Sequence, residues 1–99
     1  MARINIDREA VARFCRDRHI LKLALFGSVL RDDFGPESDV DLLVEFEREA
    51  RVGLFDISSM ELDLSPLFEG RKIDLRTSED LSRYFRDQVV ATAEGIYAA

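Results

Sequence analysis

The sequence has little of several things, and each scarcity removes a class of protein. A single cysteine, Cys15, rules out an intramolecular disulfide and fits a reducing compartment. No stretch approaches the roughly 18 consecutive apolar residues of a membrane span, and Met1 to Ile6 lacks the apolar run of a signal peptide. A cytoplasmic address without membrane association is therefore expected. Basic residues are outnumbered, 14 against 20 acidic, for a formal charge of −6. A protein that grips nucleic acid through a broad basic surface needs the opposite balance, so direct nucleic-acid binding is not expected. The lone histidine, His19, has no companion with metal-ligand spacing and reads as a residue at a helix end or surface junction. Internal repeats, low-complexity tracts and interdomain linkers are also missing.

What remains is a composition able to fold. Of 99 residues, 46% are hydrophobic and 34% charged, which suits one modest core and a single domain over residues 1–99. Such a chain has no room for a separate specificity domain, so elaborate substrate recognition must come from a partner. Homo-oligomerisation is left open.

Asp7 can cap a first helix running to about Arg18, with Ile6 and Val11 as a hydrophobic staple and Val11, Phe14 and Cys15 on one face. On that face Cys15 reads as core packing rather than as a nucleophile. Ile20 to Phe26 is a short apolar run halted by Gly27, which predicts a buried strand ending in a tight turn. Asp32 to Ser38 is turn-rich, and a second strand begins near Asp39 and continues through Phe46. Leu54, Ile57, Met60, Leu64 and Leu67 then recur at helical spacing. Pro66 interrupts that pattern, and Ser65 is placed to cap a short second segment starting there. Gly70 suits a helix end, and Lys72 to Arg76 reads as a third strand. A final helix, capped by Ser78 or Ser82, carries Leu81, Phe85, Val89 and Ile96 as its stripe and ends at Gly95 before an Ile96-Tyr97 tail. This order predicts an α/β (α+β) fold, a small mixed sheet with helices packed on one face and the other face free for chemistry.

The chemistry-bearing residues cluster around that open face. Asp39 and Asp41, one residue apart on a strand, point the same way with alpha carbons roughly 6.5 to 7 Å apart, so their carboxylates can share metal ions. Asp74, on a neighbouring strand, can complete the set, and hard carboxylate oxygens favour magnesium or manganese over zinc. Without a cation the three would repel one another. Gly27 lets backbone approach a phosphate closely, and Ser28 adds a hydroxyl beside a free N–H. A Walker-type loop is absent. Gly-Ser or Asp-x-Asp alone is an ordinary turn or strand end; their joint spacing with Asp74 is what carries weight.

Gly27-Ser28, ten intervening residues, Asp39-Val40-Asp41, a helix, and Asp74 within Lys-Ile-Asp-Leu together resemble the DNA polymerase β-type nucleotidyltransferase superfamily. The resemblance covers nearly the whole chain. Its size and the run Phe26-Gly-Ser-Val-Leu-Arg31 are most similar to the minimal nucleotidyltransferase (MNT) antitoxins of bacteria and archaea. That resemblance implies a polymerase β-like fold, ATP as substrate and two magnesium ions. It implies that Asp39 and Asp41 bind both metals, that Asp74 completes the catalytic metal site and helps activate the acceptor hydroxyl, and that Gly27 and Ser28 hold the β and γ phosphates. Arg31 matches a basic position that meets phosphate or braces the turn. Asp32 departs from the pattern, since many relatives carry glycine there. The antitoxins of this group stand beside a HEPN-domain ribonuclease toxin in a type VII-like pair and neutralise it by moving AMP from ATP onto a toxin tyrosine. Two other readings fit the same residues: an antitoxin acting by stoichiometric binding alone, and a nucleotidyltransferase acting on a small molecule.

Overall fold

The computed structural model describes residues 6–27, 35, 38–77, 87 and 91–99. Helix α1 spans Arg8–Asp17, and its start is fixed by Asp7, whose carboxylate accepts a hydrogen bond from the Ala10 N–H at 3.1 Å. Strands β1 (Ile20–Phe26) and β2 (Val40–Phe46) follow, then helix α2 (Leu54–Leu64), a 3-10 turn (Ser65–Phe68), β3 (Ile73–Thr77) and β4 (Glu94–Ala98). Pro66 explains the change of helix type. Its ring cannot continue the α-helical ladder, so the chain tightens into a separate turn instead of extending α2.

The strands form one mixed sheet in the order β3-β2-β1-β4. β1 runs antiparallel to both neighbours, whereas β2 and β3 are parallel. A parallel pair needs a long crossover, and α2 with its 3-10 turn supplies it. Alternation along the strands sorts the two faces. Leu23, Leu25, Val40, Leu42, Val44, Ile73, Leu75 and Ile96 are buried beneath the helices, joined by Val11 and Cys15 of α1 and by Met60, Leu64 and Phe68. Among the described residues no polar or charged residue is fully buried. The opposite parity, including Lys22, Ala24, Asp41, Leu43, Asp74 and Arg76, lies on the face away from the helices.

The two helices are tied by Arg18, which reaches Asp63 at 2.6 Å while its guanidinium lies 5.3 Å from the centre of the Phe14 ring. The edge strand β3 is covered by α2, because the Glu61 carboxylate accepts the otherwise unpaired N–H of Leu75 at 2.8 Å.

Three sequence expectations change. Gly95 does not end a helix: Glu94–Ala98 is a strand, and Ile96 enters the core from it. Pairing with β1 decides this, since Leu25 faces Glu94 and Ala24 faces Gly95 across a ladder that local spacing cannot reveal. The remainder of the expected last helix lies mostly outside the described residues. Ser65 ends α2 and does not cap the segment that follows: it is the first residue of the 3-10 turn, and its hydroxyl donates to the carbonyl of Arg71 at 2.7 Å. Leu54, assigned to the core stripe, is 86% exposed because it opens α2 beyond the sheet, while Ile57, Met60, Leu64 and Leu67 do face the core.

Candidate active site

Strand register brings the sequence-identified residues together. Asp41 is paired with Phe26 on one side and with Asp74 on the other. Register partners on adjacent strands sit roughly 4.8 Å apart and share a face, so the Asp41 and Asp74 side chains leave the sheet side by side. Asp39 lies one residue before β2, exposed, on the same parity as Asp41.

Gly27 closes this group from the β1 side. Its φ is +73°, a left-handed conformation in which side chains are strained. A Cβ placed there would stand 2.5 Å from an Asp41 carboxylate oxygen. Two independent features therefore require glycine, and the second places the turn directly against the carboxylate. Ser28 and Arg31, the other two residues assigned to phosphate, lie outside the described residues.

Asp74 also engages Arg76, two residues along the strand, through contacts of 3.1 and 3.3 Å to its two oxygens. Both side chains are partly exposed, 49% for Arg76 and 35% for Asp74. An exposed pair of this kind contributes about 0–1 kcal/mol, too little to hold Asp74 against a divalent cation. Among the described residues no three His, Cys, Asp or Glu side chains are drawn together tightly enough to enclose an ion. The donor set nevertheless suits one: carboxylate oxygens on matched register positions with neither sulfur nor imidazole among them, as magnesium and manganese prefer.

A hollow of about 390 Å³ continues along the same face, lined by Lys22, Ala24, Leu43, Glu45, Gly95 and Ala98 among others. Its floor pair, Ala24 and Leu43, is two residues along the ladder from the Phe26–Asp41 pair. Small residues on β1 and β4 leave the space. A larger cavity, about 560 Å³, is lined by His19 and residues 47–51 at the far end of these strands and holds none of the three aspartates. There His19 takes up a φ of 60° at the junction of α1 and β1 and its ring pairs with Glu47 at 2.9 Å, as suits a surface junction. Cys15 is fully buried, and its desolvation pushes the thiol pKa up to about 12, which makes it inert. Arg76 was missed in the sequence although its parity with Asp74 was visible. Leu43, on the parity of Asp41, and Ala24 were passed over as strand residues.

A glycine turn thus abuts register-matched carboxylates on the open face of a helix-backed mixed sheet. The sequence matches the nucleotidyltransferase domain family over residues 8–96, and the chain belongs to that family. A solved structure named for a candidate minimal nucleotidyltransferase is 34% identical, with a TM-score of 0.69 over 91% of this chain and 87% of that one. A toxin–antitoxin structure with AMP-PNP is similar at a TM-score of 0.73 and 18% identity, over 95% of this chain and 75% of that one. A complex of a tri-AMPylated Shewanella oneidensis HEPN toxin with its MNT antitoxin gives 0.64 and 18%, over 93% and 70%. At such identities the last two establish likeness of fold. No curated protein matches the sequence. Among the described residues no helix is long and apolar enough to cross a membrane.

Proposed function

We propose that this nucleotidyltransferase is the antitoxin of a HEPN/MNT pair and transfers AMP from ATP to a tyrosine hydroxyl of the cognate HEPN ribonuclease toxin. The observation that carries the reading is the contact of Gly27 with Asp41, itself in register with Asp74. Phosphate-holding backbone and metal-holding carboxylates then share one point. The neighbouring structures support it: one holds a nucleotide analogue, and another holds a toxin carrying three AMP groups.

In this reading Asp39, Asp41 and Asp74 would hold magnesium, which would lower the pKa of the acceptor hydroxyl and offset charge on the departing pyrophosphate. Gly27 and Ser28 would hold the β and γ phosphates through backbone N–H groups and the hydroxyl, and Arg31 would meet phosphate or brace the turn. The tyrosine oxygen attacks the α-phosphorus, a P–O bond forms to the acceptor, and the bond to pyrophosphate breaks. Asp74 accepts the hydroxyl proton or passes it to water. The hollow over Ala24 and Leu43 provides room beside the carboxylates for the nucleoside or the acceptor ring.

Incubation of the protein with its cognate toxin, magnesium and labelled ATP tests this. The toxin should gain label and the mass of one or more AMP groups, and Asp41→Asn should abolish both the transfer and the neutralisation. A folded Asp41→Asn variant that still neutralises would show that the antitoxin works by covering its partner.

A further inference from the structure

Asp39 is exposed and precedes the strand ladder, and the residues on either side of it are tied to elements outside β2. On one side, Val40 donates its N–H to the Lys72 carbonyl at 2.8 Å, which joins β2 to the residue before β3. On the other side stands a small turn. Ser38 N–H donates to the Gly35 carbonyl at 3.1 Å, and Gly35 N–H donates to the Ser38 hydroxyl at 2.9 Å. Both carbonyls of that turn, Gly35 at 2.7 Å and Ser38 at 3.2 Å, accept from a single atom, Nη1 of Arg71.

Arg71 is itself held. Only 17% of its side chain is exposed, its N–H donates to the Phe68 carbonyl at 3.2 Å, and its carbonyl accepts the Ser65 hydroxyl at 2.7 Å. Glu69 adds a carboxylate 3.8 Å from its Nε. A charged donor shared between two backbone carbonyls, in a largely buried setting, is among the stronger hydrogen-bonded arrangements available to a loop. Arg71 and Lys72 thereby hold the residues flanking Asp39, and both precede the strand that carries Asp74. We propose that Arg71 is a positioning residue for Asp39: it locks the turn at residues 35 and 38 so that the Asp39 carboxylate is presented beside Asp41 and Asp74.

This rests on the reading of Asp39 as a metal ligand, and the test separates the two. Manganese binding and transfer are measured for Asp39→Asn, Arg71→Met, Arg71→Lys and, as a control for lost stability alone, Arg18→Ala, which breaks the Arg18–Asp63 bridge between the two helices. Hydrogen exchange of the residue 38–40 amides is followed in the metal-free proteins. Partners that orient a metal ligand are worth roughly 10–100-fold in metal affinity. Arg71→Met should weaken manganese binding by about that factor and speed exchange at residues 38–40. Arg71→Lys, whose ammonium can reach one carbonyl but lacks the planar fork of arginine, should recover only part of the affinity, and Arg18→Ala should leave it unchanged. If Arg71→Met does not fold, Arg71→Lys must then show intermediate losses in affinity and exchange protection; parental values there would overturn the proposal. So would a folded Arg71→Met with parental manganese affinity while Asp39→Asn has lost it. Parental affinity in Asp39→Asn would instead refute the metal-ligand reading and the proposal with it.

Discussion

Gly27→Ala offers a sharp test of the site, because a second glycine supplies its control. Gly27 and Gly70 share nearly the same backbone, with φ of +73° and +75°. Alanine in that conformation costs about 1–2 kcal/mol at either position. The surroundings differ. Nothing lies within 4 Å of a Cβ at Gly70, whereas at Gly27 the Asp41 oxygen would be 2.5 Å away. The carboxylate must move by roughly 1 Å, at a further cost of about 0.5–1.5 kcal/mol for the displaced rotamer. With about 4–8 °C lost per kcal/mol in a domain of this size, Gly70→Ala should melt about 4–16 °C lower and Gly27→Ala about 6–28 °C lower. Activity should separate the pair far more than stability does. A misplacement of about 1 Å in a reacting constellation can cost on the order of 100-fold, so Gly27→Ala should lose that much transfer while Gly70→Ala keeps the parental rate. Circular dichroism melts and transfer assays below both melting temperatures would measure this. Equal activity in the two variants would refute the claim that the turn and Asp41 form one site.

Further outcomes follow from single contacts. Because the folded Cys15 thiol titrates at about 12 against an ordinary 9.0, the folded state keeps its proton longer than the unfolded chain does. Its contribution is complete below pH 9.0 and is lost as pH rises towards about 12, so Cys15→Ala should flatten the alkaline limb of stability against pH, and the native thiol should resist alkylation at neutral pH. Glu61→Ala removes the acceptor of the Leu75 N–H and should cost about 1–2 kcal/mol with faster exchange of that amide, whereas Glu61→Gln should retain most of the protection. Arg76→Met frees Asp74 from an exposed ion pair worth at most about 1 kcal/mol, so manganese binding should tighten by no more than about fivefold. A much larger gain, read by calorimetry, would mean that the pair closes the site.

The legible parts of the molecule were those whose signals are local. The Asp7 cap, the stop at Gly27 and the alternation of Val40 to Phe46 each act within a few residues, and each element forms where those signals place it. Parity alone put Asp41 and Asp74 on outward positions. That they are register partners depends on the parallel pairing of β2 with β3, which no short window contains. β4 was hidden for the same reason. Ile96 fits a helical stripe extended from Leu81 as well as it fits a strand, and only the non-local ladder with β1, bulged near Gly95 to Tyr97, decides between them. Ser65 illustrates a competing acceptor: beside Pro66 it has the makings of a cap, but the Arg71 carbonyl takes its hydroxyl.

The division of the sheet into two faces also determines how variants of the site can be interpreted. The fold draws its stability from an apolar layer with no buried polar residue among those described, whereas the aspartates stand on the opposite surface. Asp41 projects from that surface and has no share in the apolar layer. Removing one charge from Asp41 should therefore not unfold the protein. Asp41→Asn is expected to melt within a few degrees of the parent, as is usual for a substitution outside the packed core. A large fall in melting temperature would show that Asp41 helps hold β1 to β2, and its loss of transfer would then no longer isolate the chemistry. If instead the variant is as stable as the parent and inactive, the open face serves catalysis and the helix-covered face maintains the fold.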